Sequence, residues 1–356
     1  MIARPFLSVL IDTYNHERFI EQAVASVLAQ DFPAADREIL VVDDGSTDRT
    51  PEILGKFGSQ IRVLRKANGG QASAFNAGIP QCQGEIVAFL DGDDWWATNK
   101  LSCVAKSMAE HPEVGFLGHG IVNTFLDGSH STDILRDGFC FQANEIAGAK
   151  TFRLRCSFLG TSRMAIRKAL LARIGPIPEE ICVQADEYIY TMAAVLSPTC
   201  ILPQALTYYR WHEDNGYSFS ALDSAKLRRK QKSLEALARS LTCRLTEIGV
   251  KPEVRRALLA FTAANAAQLR LCLNGGWSWE TYRIEWTMYR VTHPHAPVSH
   301  WVFKLFALLP ALVIPPQRYY RAQRTLSQND LYRRIRRRLL PFPEMPHIQK
   351  EMQNRP

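Results

Sequence analysis

No two of the eight cysteines, at 82, 103, 140, 156, 182, 200, 243 and 272, lie within four residues of each other. This argues against a structural zinc site built from paired cysteines, and buried reduced thiols are expected. The chain also lacks the run of about 20 apolar residues that a membrane-spanning helix needs. Its first apolar run, Phe6 to Ile11, ends at Asp12 and is too short for the core of a signal peptide. A place in the cytoplasm, or on the cytoplasmic side of a membrane, is expected. No internal repeat or low-complexity segment occurs. With 46% hydrophobic and 22% charged residues, a disordered or collagen-like chain is excluded. A length of 356 residues leaves room for one large domain or two ordinary ones.

Bases are scarce where acids gather. Residues 1–215 hold 19 Lys and Arg against 26 Asp and Glu, whereas residues 216–356 hold 24 against 9. Such asymmetry points to different partners for the two parts. The basic part has no zinc spacing, no RNA-binding aromatic signature and no clear helix-turn-helix, so no nucleic-acid partner is expected.

What is present is an alternation of strand and helix signals over the first 120 residues, the pattern of a parallel α/β sheet. Strands are expected at Phe6–Ile11, Glu38–Val42, Ile61–Leu64, Ile86–Leu90 and Val114–Leu117. Between them, helical spacing appears after Phe19, near Pro51 with Thr50 as cap, at Gln71–Ala77 and at Thr98–Glu110. Residues 120–180 are less regular, with one candidate helix at Arg167–Ile174; helices follow at 186–196, 222–248 and 253–273.

The acids of the first half fall just after expected strands: Asp12, then Asp43 and Asp44, then Asp91, Asp93 and Asp94. Ligands of open α/β sheets bind outside these carboxyl ends. Carboxylates crowded there repel unless a cation joins them, and oxygen ligands favour Mg²⁺ or Mn²⁺. Asp48, by contrast, reads as a turn or cap residue.

The chain resembles the family 2 glycosyltransferases with the GT-A fold over about residues 6–215. The resemblance is carried by LSVLIDTYNHERFI at 7–20, EILVVDDGSTDRT at 38–50, NGGQASAFNAG at 68–78, GEIVAFLDGDDWW at 84–96, QADEY at 184–188 and YYRWHEDN at 208–215. It implies an α/β, Rossmann-like nucleotide-sugar-binding domain with a mostly parallel central sheet at 1–220. A helical, basic C-terminal region would follow at 221–356. By the same resemblance Asp12, Thr13, Tyr14 and Asn15 form the loop touching the nucleotide base, although many relatives carry Pro where Asp12 stands. Asp43 hydrogen-bonds the base and Asp44 supports the turn. Asn68, Gly69, Gly70 and Gln71 line the donor pocket. Asp91 and Asp93 resemble the DxD motif, with Asp91 toward the ribose and Asp93 on the metal; Asp94 shares or replaces that role. Asp186 resembles the catalytic base, with Glu187 as the alternative within the pair. Arg210, His212 and Asn215 resemble a segment closing over the diphosphate, His212 as phosphate or metal contact. Trp95 and Trp96 stack on a sugar or form a buried pair.

The implied activity is inverting transfer of a sugar from a nucleoside-diphosphate sugar, UDP favoured, to an acceptor hydroxyl. A lipid-linked saccharide of bacterial surface-polysaccharide synthesis is the expected acceptor. The stretch WVFKLFALLPALVI at 301–314, with the arginines after it, suggests an interfacial segment at 298–325 on an anionic membrane surface. A buried helix pair is the competing reading. Two other functions stay open: a non-catalytic nucleotide-sugar-binding or scaffold protein, and a haloacid-dehalogenase-like phosphatase using Asp91 and Asp93. The second would place Thr or Val where Trp95 stands.

Overall fold

The computed structural model describes residues 6–125, 127–135, 137–155, 159–212, 224–292, 297–328 and 348–351. Four strands, β1 (Leu7–Thr13), β2 (Arg37–Asp43), β3 (Arg62–Arg65) and β4 (Ile86–Asp91), make a parallel unit in the order β3-β2-β1-β4. Strand β1 is buried on both faces, as parallel strands covered by helices are. Alternate residues feed two cores. Val9, Ile11, Val41, Ala88 and Leu90 face α1 (Ile20–Leu28), α2 (Thr50–Gly55) and, farther along the chain, α4 (Lys100–Glu110). Leu10, Val42 and Phe89 face α3 (Gln71–Gly78) and the helices of the other layer.

Beyond β4 the sheet becomes mixed. After the two-residue β5 (Trp95–Trp96) come β6 (Phe116–Thr124), β7 (His130–Leu135), β8 (Phe139–Phe141), α5 (Ile146–Arg155), β9 (Ala165–Arg167), α6 (Lys168–Ile174), α7 (Ala185–Leu196) and β10 (Thr199–Arg210). Strand β9 joins β4 to β6 by antiparallel pairing, and β10 runs parallel to β6 while also pairing β5 and β8. The helices α8 (Ser224–Glu247), α9 (Pro252–Asn274), α10 (Ser278–Thr292), α11 (Val298–Ala307), α12 (Pro310–Val313) and α13 (Pro316–Gln328) complete the chain, with β11 (Ile348–Glu351) against β7.

Three expectations are corrected. Thr50 begins α2 instead of capping it. The Asp48 carboxylate accepts the Thr50 N–H at 2.9 Å, and the Thr50 hydroxyl accepts the His16 N–H at 2.9 Å. The thiols are not all reduced, because Cys140 and Cys200 lie opposite each other in the β8–β10 register and form a disulfide. The stretch 120–180 is structured by partners far away in sequence, which local periodicity does not report. Its β8 pairs with β10, and α5 packs on α9.

The helices after residue 220 divide. Leu227, Leu234, Leu237, Leu241 and Leu245 of α8 and Val254, Leu258 and Leu269 of α9 share one apolar cluster with Leu10, Phe75 and Phe89. Helix α13 instead joins a small separate cluster of Leu271, Ile284 and Tyr320, and α11 has no buried residue. Among the described residues, no helix is long and apolar enough to cross a membrane.

Candidate active site

Parallel register sets Asp12 beside Asp91 at the ends of β1 and β4. The turn after β4, closed by the Asp94 N–H on the Asp91 carbonyl at 3.1 Å, turns Asp93 and Asp94 toward them. Carboxylate oxygens of Asp91, Asp93 and Asp94 lie within 4.8 Å of one another. Burial pushes Asp12 up to about 8 against the pull of a hydrogen bond with Asp91, and the Asp93 charge adds to the rise. Burial also raises Asp91 and Asp94 well above the usual carboxylate range, helped by their neighbours' charges. Asp93 goes the other way. Burial would raise it, but the hydrogen bond from His212 and the nearby His16 outweigh that and hold it low. His212 Nε2 stands 2.9 Å from Asp93 Oδ2.

These residues fit a divalent cation. Asp12 Oδ1 and Asp94 Oδ2 are buried with no hydrogen-bond partner among the described residues, and the donor set is carboxylate oxygen with one imidazole at its edge. Arg210 binds this turn from above. Its N–H donates to Asp94 Oδ1 at 3.0 Å and its Nε to the Asp93 carbonyl at 2.9 Å, while the guanidinium lies over Phe19 and Trp95. Asn215 falls outside the described residues.

The acidic pair at the start of α7 separates cleanly. Asp186 is buried, with Oδ2 accepting the Thr161 N–H at 3.1 Å and Oδ1 the Glu187 N–H at 2.8 Å. Burial raises it to about 6, opposed by those N–H donors, and its charge in turn raises Asp12 and Asp91. Glu187 instead accepts the Thr262 hydroxyl of α9, and burial pushes it up to about 7. One acid faces the strand ends and the other faces the helical core.

Gln71 ties the two groups of acids together. Its Nε2 reaches Thr161 Oγ1 at 3.0 Å and Asp91 Oδ1 at 3.4 Å, while its Oε1 accepts the Ala185 N–H at 2.9 Å. The loop before it is held by Asp44, whose carboxylate accepts from Lys66 Nζ at 2.7 Å and from the Gly69 and Gly70 N–H groups. The Asn68 amide donates to the Asp44 carbonyl at 3.0 Å, so this side chain secures the loop. At Gly70 φ is +86° and a Cβ would stand 2.7 Å from the Cys182 carbonyl, which leaves only glycine unstrained.

The expected base-contact loop forms a rim next to the acids. Tyr14 is exposed, Thr13 is buried, and Asn15 Oδ1 accepts the Thr47 N–H at 2.8 Å. Asp43 Oδ1 accepts the Ser46 N–H at 2.9 Å, and Arg65 Nε lies 3.4 Å from Oδ2.

Sequence reasoning missed Thr161, Ser162 and Lys100. Ser162 Oγ accepts the Asp91 N–H at 3.0 Å. Its carbonyl receives three buried donors: Lys100 Nζ at 2.6 Å, Thr207 Oγ1 at 2.6 Å and Trp96 Nε1 at 3.2 Å. Burial lowers the Lys100 ammonium well below its usual range, and Asp94 opposes the drop. The only local trace is Gly160-Thr161-Ser162, small residues inside an apolar neighbourhood. Trp96 therefore follows the buried reading, whereas Trp95 stacks on Tyr208 at 5.1 Å.

The family model for glycosyl transferase family 2 matches residues 8–170. A relative from Nostoc sp., the uncharacterized glycosyltransferase alr2836, is 33% identical over 252 residues, 68% of this chain and 76% of its own. The chain belongs to the family 2 glycosyltransferases. Two solved structures share the GT-A fold of this transferase. Staphylococcus aureus TarS 1-349, in complex with UDP, has 20% identity and a TM-score of 0.50, covering 89% of this chain and 91% of its own. The mannosyltransferase PcManGT from Pyrobaculum calidifontis, in complex with GDP-Man and Mn²⁺, has 19% identity and a TM-score of 0.52, covering 94% and 83%. In this glycosyltransferase Asp91 and Asp93 lie at the end of the fourth strand of a GT-A sheet, which leaves the phosphatase alternative without support.

Proposed function

We propose that this transferase moves a sugar from a UDP-sugar to an acceptor hydroxyl with inversion, using Mg²⁺ or Mn²⁺ at Asp91, Asp93, Asp94 and His212. The observation that carries this reading is the separation of roles at one site. Three clustered carboxylates suit a cation, while Asp186, fixed by two N–H donors, stands apart from the turn that groups them. A bound cation would neutralise the departing diphosphate as a Lewis acid. Arg210 adds a charged donor on the same side. Asp186 takes the proton of the acceptor hydroxyl as its oxygen attacks the anomeric carbon opposite the diphosphate. Two bonds change at one carbon, so no enzyme nucleophile is needed.

Tyr14, Asn15, Asp43, Asn68 and Gly70 would frame the nucleoside, with UDP favoured by the UDP complex of TarS. We assign residues 1–220 to catalysis and the helices after them to support and placement. For the acceptor we favour a lipid-linked saccharide at the cytoplasmic face of the membrane. Helices α11 and α12 support this placement, because Val298, Phe306 and Val313 are 79%, 66% and 82% exposed. Residues 298–328 contain Lys304, Arg318, Arg321 and Arg324 and no acid. Arg333, Arg334 and Arg336 to Arg338 lie outside the described residues.

A melting panel of UDP, GDP and dTDP with Mn²⁺ tests the donor and metal together, since ligands of the folded state raise the midpoint. UDP with Mn²⁺ should raise it, and Asp93→Asn should cancel most of that rise. A shift unaffected by EDTA would overturn the metal role, and a larger shift with GDP would overturn the UDP preference.

A further inference from the structure

Two aromatic side chains stand exposed beside the acidic centre. Trp211 is 39% exposed and Phe125 38%, with their rings stacked at 6.1 Å and 14°. Neither is loose. The Trp211 indole N–H donates to Asn123 Oδ1 at 3.0 Å, and its backbone N–H to the Thr124 carbonyl at 2.8 Å. Tyr209 packs edge-on against Trp211 at 5.4 Å. Between Tyr209 and Trp211, the Arg210 backbone N–H donates to Asp94 Oδ1 at 3.0 Å, which sets this end of β10 against the acidic turn. The aromatic group of Phe125, Trp211 and Tyr209 therefore stands beside the strand end that binds the acidic turn. His212, the next residue after Trp211, holds Asp93.

The sheet order says which substrate this group faces. The nucleotide rim lies on β1, β2 and the loop before α3, on one side of β4. The aromatic residues lie at the ends of β6 and β10, on the other side of β4. A rigid, half-exposed aromatic face suits a ligand with apolar C–H faces and a polar edge. Pyranose rings have that form. We propose that Trp211 and Phe125 form the platform on which a pyranose ring of the acceptor saccharide stacks, with Tyr209 backing Trp211 edge-on. The proposal rests on the glycosyl-transfer reading above, because it takes the donor to occupy the β1–β2 side.

The test uses the full chain labelled with 5-fluorotryptophan, the Trp211 resonance being assigned by its loss in Trp211→Phe. Methyl α- and β-pyranosides of glucose, galactose, N-acetylglucosamine and rhamnose are added with UDP and Mg²⁺ present. At least one should shift the Trp211 resonance saturably. Phe125→Ala should weaken that affinity about ten-fold, equivalent to ~1.4 kcal/mol, while Phe125→Tyr restores it. If no pyranoside moves the resonance, or if Phe125→Ala binds as tightly as the parent, the platform is overturned. A saturable shift in a protein that transfers no sugar from any UDP-sugar would keep the platform and overturn the UDP-sugar reading. Transfer with an unmoved Trp211 resonance would do the reverse.

Discussion

Thr161 donates its backbone N–H to Oδ2 of Asp186 across 3.1 Å, and both residues are buried. The next residue, Ser162, accepts the Asp91 N–H through its hydroxyl at 3.0 Å. One short turn thus holds the candidate base Asp186 on one side and the candidate metal ligand Asp91 on the other. Lys100, Thr207 and Trp96 fix that turn by its carbonyl. Residues 161–162 therefore link the two groups of acids directly.

Ser162→Ala should therefore weaken Mn²⁺ binding about ten-fold and cost about 1–2 kcal/mol of stability, since the Asp91 N–H loses its buried acceptor. Isothermal titration with Mn²⁺ and urea unfolding read the two effects. Unchanged metal affinity would mean that the turn does not organise the acids.

Asp186→Asn should leave UDP-sugar affinity intact and lower kcat by roughly 10²–10⁴, the usual scale for general base catalysis. Glu187→Gln should lower the melting temperature, because it disturbs the contact to Thr262, with a much smaller effect on kcat. With Asp186 raised to about 6, activity should climb through that pH as the carboxyl loses its proton. A larger kcat loss in Glu187→Gln would reverse the assignment within the pair.

Stability of the metal-free protein should fall as pH rises. Asp186, Glu187 and Asp12 are raised to about 6, 7 and 8, so the folded state holds protons that the unfolded chain has already released. Their favourable contribution is complete below the ordinary carboxylate range and is lost as pH climbs through 6 to 8. Asp93, held low, acts oppositely and only in acid. Scanning calorimetry in EDTA should show the decline, and Mn²⁺ should flatten it by favouring the ionised acids. A melting temperature that rises over this window would contradict the burial of these groups.

The intact chain should float with anionic vesicles of phosphatidylglycerol at low salt, each arginine near the surface contributing about 1 kcal/mol. A protein ending at Pro297 should stay folded, because α8 and α9 share the catalytic core, yet remain at the bottom of the gradient. If the intact chain stays at the bottom as well, the exposed face of α11 and α12 is not a membrane surface.

Strand-end acids could be read directly from the sequence. An apolar strand followed by Asp91-Gly-Asp93-Asp94 must leave its carboxylates at a carboxyl edge, because the polar residues cannot continue a strand buried on both faces. The α1, α3 and α7 helices were legible for the same local reason, apolar residues recurring at helical spacing. Tertiary structure decided which strand ends meet. Register places Asp12 against Asp91, and only folding brings Thr161 and Ser162 under both groups of acids. It also gave Asp186 and Glu187, adjacent in sequence, different partners, Thr161 and Thr262, which no pattern of residue types encodes. The Cys140–Cys200 bond and the Glu187–Thr262 contact span 60 and 75 residues. Hydrophobic periodicity reports a residue's own face, whereas contacts of that separation depend on how whole layers pack.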